Sequence, residues 1–103
     1  MKRISVVGAA LLLACCAVSA QDKETLYLRS LAATCANCHG TQGRAEPGSS
    51  VVSLAGLQKD YIVAQMKAFQ SGTRPATIMH QISKGYSDAQ IAQIASYFAA
   101  QTK

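Results

Sequence analysis

Cys35-Ala36-Asn37-Cys38-His39 places two thiols and an imidazole in one short stretch. The C-x-x-C-H spacing is that of covalent c-type haem attachment. In that chemistry the thiols add across the vinyl groups of the porphyrin as thioethers, and the adjacent histidine reaches the iron as its proximal ligand. Cys35 and Cys38 are therefore read as the thioether positions of one haem c, and His39 as the proximal ligand. A bare C-x-x-C also serves redox dithiols and half zinc sites. A dithiol oxidoreductase would carry its motif in a βαβ pattern, which this sequence lacks.

The residue on the second axial position decides what the iron does. Met79 follows the chain breakers Gly72 and Pro75 and precedes the final helical segment, a place from which a loop can bring a thioether to the distal face. A soft, neutral sulfur favours ferrous iron, raises the reduction potential and closes the coordination sphere. Met79 is the leading candidate, with His80, Met66 and an open site as alternatives. Met66 sits mid-helix among apolar neighbours, where methionine commonly fills core space. His80 adjoins Met79, so the two cannot both face the iron from one short turn.

The elements that must position these residues read as helices. Asp22 to Thr34 has acidic residues in its first turn and Leu26, Tyr27, Leu28 and Leu31 on an uneven apolar face, and it runs directly into the motif. Gly40 to Gly56 is punctuated by Gly40, Gly43, Pro47, Gly48 and Gly56 and predicts a loop wrapped around a ligand. Helical spacing returns from Gln58 to Gln70 through Tyr61, Ile62, Gln65, Met66 and Phe69, and Ser71 to Pro75 stops it. Ala76 to Lys84 predicts one or two turns closed by Gly85 as a C′ residue. Ser87 and Gln90 form a capping box for a last helix whose Ile91, Ile94, Ala95 and Phe98 recur at i, i+3, i+4 and i+7. This helix is expected to cross the first one, with Ser30, Ala32, Ala33 and Ala95 as the small residues available at the crossing.

The chain has 103 residues and a formal net charge of +5. Met1-Lys2-Arg3, an apolar run from Ile4 to Val18 and the small residues Val18-Ser19-Ala20 read as a secretory signal over residues 1–20, removed to leave one domain over 21–103. The run is shorter than the ~20 apolar residues that span a bilayer. Leu12-Leu13-Ala14-Cys15 offers a lipoprotein signal as the alternative, with a lipid anchor at Cys15. Export implies a periplasmic location. Cys15 and Cys16 leave with the leader, so no cysteine remains outside the motif. A domain this small needs a staple, and a covalently held haem supplies one. The cations are scattered from Lys23 to Lys103 with no run to track a phosphate backbone, which excludes a nucleic-acid partner. Solvated surface accounts for most of them, a docking ring around a haem edge being the functional alternative. No carboxylate pair, Ser-His-Asp set or phosphate-cradling loop is present, and no catalytic site is expected.

Cys35-Ala36-Asn37-Cys38-His39-Gly40, Leu54-Ala55-Gly56, Phe69-Gln70-Ser71-Gly72-Thr73-Arg74 and Ala95-Ser96-Tyr97-Phe98 resemble a bacterial class I c-type cytochrome. Within that family, Thr77-Ile78-Met79 followed by Ile82 to Ser87 is similar to the haem subunit of flavocytochrome c sulfide dehydrogenase. The resemblance implies a small all-α fold wrapped around one haem, with His39 proximal and Met79 distal. It further implies a flavoprotein partner that oxidises sulfide and hands electrons singly to this chain. A freely diffusing monohaem carrier to a terminal oxidase is the alternative, and an open-iron haem enzyme or sensor a more distant one. Class I cytochromes commonly have a proline whose carbonyl orients the proximal histidine; here that position is Val52. Tyr86 and Tyr97 are read as packing aromatics or haem-propionate donors, and Arg74 as a solvated loop residue or a propionate partner.

Overall fold

The computed structural model describes residues 22–103. The leader expected over residues 1–20, its expected cleavage position and Cys15 lie outside the described residues. In chain order the described part contains α1 over 22–33, α2 (Ala36–His39), a 3-10 turn (Thr41–Gly43), α3 (Lys59–Ser71), α4 (Met79–Ile82), a second 3-10 turn (Ser83–Gly85) and α5 (Asp88–Ala99). Among the described residues there is no strand, and no helix is long and apolar enough to cross a membrane.

The core is built where α1 and α3 meet α5. Ile91, Ile94, Ala95 and Phe98 of α5 are buried, as their spacing predicts, and they form one cluster with Ala32 of α1 and Ile62 and Met66 of α3. Ala32 and Ala95 are the small residues that share this core; Ser30 and Ala33 are exposed. The apolar face expected for α1 is met in part. Leu26 and Tyr27 point to solvent at 66% and 48% exposure, Leu28 and Leu31 are half-buried as expected, and the buried position is Ala32. With apolar residues at four positions in six, periodicity alone could not select the inward side.

Local signals fix the helix ends. The Ser87 hydroxyl accepts from the Gln90 amide at 3.2 Å while the Gln90 side chain accepts from the Ser87 amide at 3.0 Å, so the capping box of α5 is complete. Helix α3 stops at Gly72, whose left-handed φ of 79° turns the chain, and its amide bonds back to the Phe69 carbonyl. Gly85 differs from expectation: it lies inside the second 3-10 turn and is not among the positive-φ glycines, and the segment is closed by an extended Tyr86. Lys67 of α3 pairs with Asp88 at the start of α5 on the surface, a contact of small energetic weight.

The cap of α5 holds a helix that supplies four of the seven residues of the buried cluster. Ser87→Ala is expected to cost about 1 kcal/mol, read as a lowered denaturation midpoint with an unchanged slope in the haem-loaded protein.

Candidate functional site

Helix α1 ends at a turn through Thr34 and Cys35, with the Cys35 amide bonded to the Ala32 carbonyl at 3.1 Å, and the chain re-enters helix at Ala36. The single turn Ala36–His39 then carries Cys38 and His39. The two motif cysteines are not paired with each other in a disulfide; Cys35 is half-buried and Cys38 exposed. Before attachment, burial pushes the Cys35 thiol above its ordinary pKa.

His39 is buried, and its Nδ1 lies 2.7 Å from the carbonyl oxygen of Val52. A carbonyl only accepts, so Nδ1 carries the proton and donates it. The other ring nitrogen, Nε2, is thereby left with its lone pair available to a metal. The Val52 carbonyl stands where the resemblance to class I cytochromes expects a proline carbonyl. The Val52 side chain is exposed, and the position needs only the carbonyl direction.

That direction is set by the preceding glycines. Gly43, at φ 78°, accepts with one carbonyl from the amides of Leu54 (2.7 Å) and Ala55 (3.1 Å), and the Ser53 hydroxyl accepts from the Ala45 amide at 3.0 Å. The loop beyond is tied to the end of the chain: the Gly56 amide reaches the Phe98 carbonyl at 2.9 Å, and Arg44 donates to the Thr102 carbonyl and hydroxyl. A Cβ on Gly43 would meet Phe98 Cδ1 at 2.7 Å, and one on Gly40 would run into the Arg44 carbonyl. Residues 44–58 thus form an irregular but pinned wall.

Cys35, Cys38 and His39 open into a cavity of about 540 Å³, and Met79 lines the same cavity. The volume is that of a small-molecule site. Its remaining walls come from the loop, α3 and the segment before α4, and are mostly apolar, with Leu54, Tyr61, Phe69, Ile78 and Ile82 among them. Met66 also touches the cavity but is buried in the core cluster, whereas His80 is not among the lining side chains. Arg74 stands at the wall with its guanidinium 4.7 Å from the Phe69 ring centroid and bonded to Gln65. Tyr86 lines the cavity; Tyr97 does not, and packs edge-on to Phe98 at 5.3 Å. A more open depression of about 580 Å³ beside the C-terminal half of α3, walled by Lys67, Gln70 and Thr73 among others, holds none of these groups.

Two cysteine sulfurs, an imidazole with a metal-ready Nε2, a thioether and an apolar cavity form the donor set that a covalently bound haem requires. The family model for cytochrome c matches residues 29–101. The chain belongs to the cytochrome c family. It is a class I c-type cytochrome of all-α fold, its function is electron transfer, and its cofactor is one covalently bound haem c.

Relatives of this cytochrome c domain include the cytochrome subunit of sulfide dehydrogenase of Chlorobaculum tepidum, 38% identical over 68 residues that make up 66% of this chain and 60% of that protein. The thiosulfate dehydrogenase electron acceptor of Thiomonas intermedia is 35% identical over 68 residues, 66% of this chain and 31% of that protein. Among solved structures, cytochrome c4 of Acidithiobacillus ferrooxidans superposes with a TM-score of 0.60 at 36% identity, covering 64% of this chain and 37% of the other. The chain therefore spans between about a third and three fifths of the length of these relatives.

The two features that sequence reasoning missed are the Gly43 carbonyl that anchors the loop and the bond from Tyr86 to Thr34, both tertiary. Gly43→Ala forces a side chain into a left-handed backbone and against Phe98. It is expected to cost about 2–4 kcal/mol by chemical denaturation of the haem-loaded protein, and to speed solvent exchange of the His39 Nδ1 proton seen by NMR.

Proposed function

We propose that this chain is an exported, periplasmic electron-transfer subunit that accepts electrons one at a time from a dehydrogenase of reduced sulfur, with a flavoprotein sulfide dehydrogenase as the favoured partner. In this proposal Cys35 and Cys38 hold the haem as thioethers, His39 is its proximal ligand and Met79 its distal one. When bound, the group supplies a reversible one-electron couple.

The observation that carries the reading is the cavity that gathers Met79 with Cys35, Cys38 and His39, the last already committed through Nδ1 to the Val52 carbonyl. The protein's part in the chemistry is positioning. The Val52 carbonyl holds the imidazole in one tautomer and one orientation and raises its basicity as a ligand. Leu54, Phe69 and Ile82 give the cavity apolar walls, an environment that suits the neutral thioether of Met79. A closed coordination sphere needs no substrate pocket, consistent with a role in passing electrons on.

The partner is supported by two lines. The segment from Thr77 to Ser87 resembles sulfide dehydrogenase haem subunits, and the relatives include a cytochrome subunit of sulfide dehydrogenase and a thiosulfate dehydrogenase electron acceptor. Export is supported by the leader-like pattern of residues 1–20, with cleavage after Ala20 favoured over lipidation at Cys15.

Two measurements test the proposal. Carbon monoxide is expected not to bind the reduced protein and to bind the Met79→Ala variant; binding by the unmodified protein would contradict distal ligation by Met79. Purified from its host at low salt, the intact sample is expected to show flavin absorption together with the haem bands. Haem bands alone would point instead to a freely diffusing carrier.

A further inference from the structure

Three parts of the site wall are tied together at Tyr86. Its ring lines the cavity and packs against the core cluster, and its hydroxyl lies 2.6 Å from the Thr34 Oγ1. Thr34 Oγ1 in turn donates to the Leu31 carbonyl at 3.0 Å. A threonine hydroxyl has one proton, and the carbonyl can only accept it. Tyr86 is therefore the donor in the bond to Thr34. Thr34 is the residue immediately before Cys35, and its hydroxyl lies 3.9 Å from that sulfur.

At its main-chain end Tyr86 is held from a third direction. The Gln70 side-chain amide, from α3, donates to the Ser83 carbonyl at 2.8 Å and to the Tyr86 carbonyl at 3.1 Å. These carbonyls belong to the turn that directly follows α4, and Met79 is the first residue of α4. The stretch from Met79 to Tyr86 is thus fastened at its far end by one phenol bond to the attachment motif and one amide fork from α3.

We propose that Tyr86 is a positioning residue for Met79, acting through Thr34 and Gln70, and that its bond to Thr34 sets how readily an external ligand displaces Met79 from the iron. The proposal rests on the assignment of Met79 as distal ligand. Ferric iron holds a soft thioether weakly, so a nitrogen donor competes for the position. Displacement requires the Met79 to Tyr86 stretch to move away from the motif, and the Tyr86–Thr34 bond must break as it does. Removing the bond in advance removes that contribution, and a net hydrogen bond corresponds to about a five-fold change in an equilibrium constant.

Imidazole titration of the oxidised, haem-loaded protein, followed by absorption, tests this. Tyr86→Phe keeps the ring and loses only the hydroxyl; Thr34→Val keeps the shape and loses the same bond. Each variant is expected to bind imidazole about five-fold more tightly than the unmodified protein, and the double variant no more tightly than either single one. Thr34→Ser, which retains a hydroxyl, is expected to restore the unmodified affinity. Unchanged affinity in both single variants, or two effects that add in full, would overturn the proposal. Met79→Ala separates the two levels. If the unmodified protein already binds imidazole as tightly as Met79→Ala, the ligand assignment itself fails. If it binds far more weakly and Tyr86→Phe matches it, only the role of Tyr86 fails.

Discussion

A buried imidazole can offer a metal only the nitrogen that its surroundings leave free. In this chain the choice is made by one hydrogen bond, from His39 Nδ1 to the Val52 carbonyl at 2.7 Å. Much of the architecture serves that bond. The attachment motif must be helical so that Cys38 and His39 leave one turn together, and the loop must return to within hydrogen-bond reach of a ring that lies thirteen residues earlier in the chain. The double acceptor at Gly43, the Ser53 and Arg44 bonds and the Gly56 contact to Phe98 each remove freedom from that loop. An irregular segment is thereby made as well defined at one carbonyl as a helix would be.

The remaining structure follows from how little core a small helical domain can assemble. The buried apolar cluster is a narrow seam between α1, α3 and α5, and the larger apolar side chains beyond it, Tyr61, Ile78 and Ile82 among them, face the cavity or solvent. Such a domain is marginal unless something covers that surface. A covalently held apolar macrocycle covers it and cannot dissociate, so cofactor and core are the same object. This also explains why cysteine use is confined to the motif within residues 22–103.

What the sequence made legible was whatever is written locally. The Ser87–Gln90 box and the i, i+3, i+4, i+7 face of α5 are short-range patterns, and each is present in the structure as read. On helix α1 four apolar residues fall within six positions, so the pattern does not single out Ala32 as the buried one or Leu26 and Tyr27 as exposed. Gly85 was misread because a 3-10 turn followed by extended backbone closes a segment without any left-handed residue. The role of Tyr86 was invisible for a different reason. Its partner Thr34 lies fifty-two positions away, and no periodicity reports a bond between residues so distant. The Val52 carbonyl was anticipated only through resemblance, since a main-chain acceptor leaves no mark on residue type.

The central claim is that the paired thiols and the singly committed imidazole of residues 35–39 exist to hold one haem covalently. Mass spectrometry of the purified protein, intact and after digestion, addresses it most directly. One haem's mass is expected on the peptide that contains Cys35 and Cys38, with neither sulfur open to alkylation before or after reduction. Two alkylatable thiols, or a disulfide released by reductant, would contradict it.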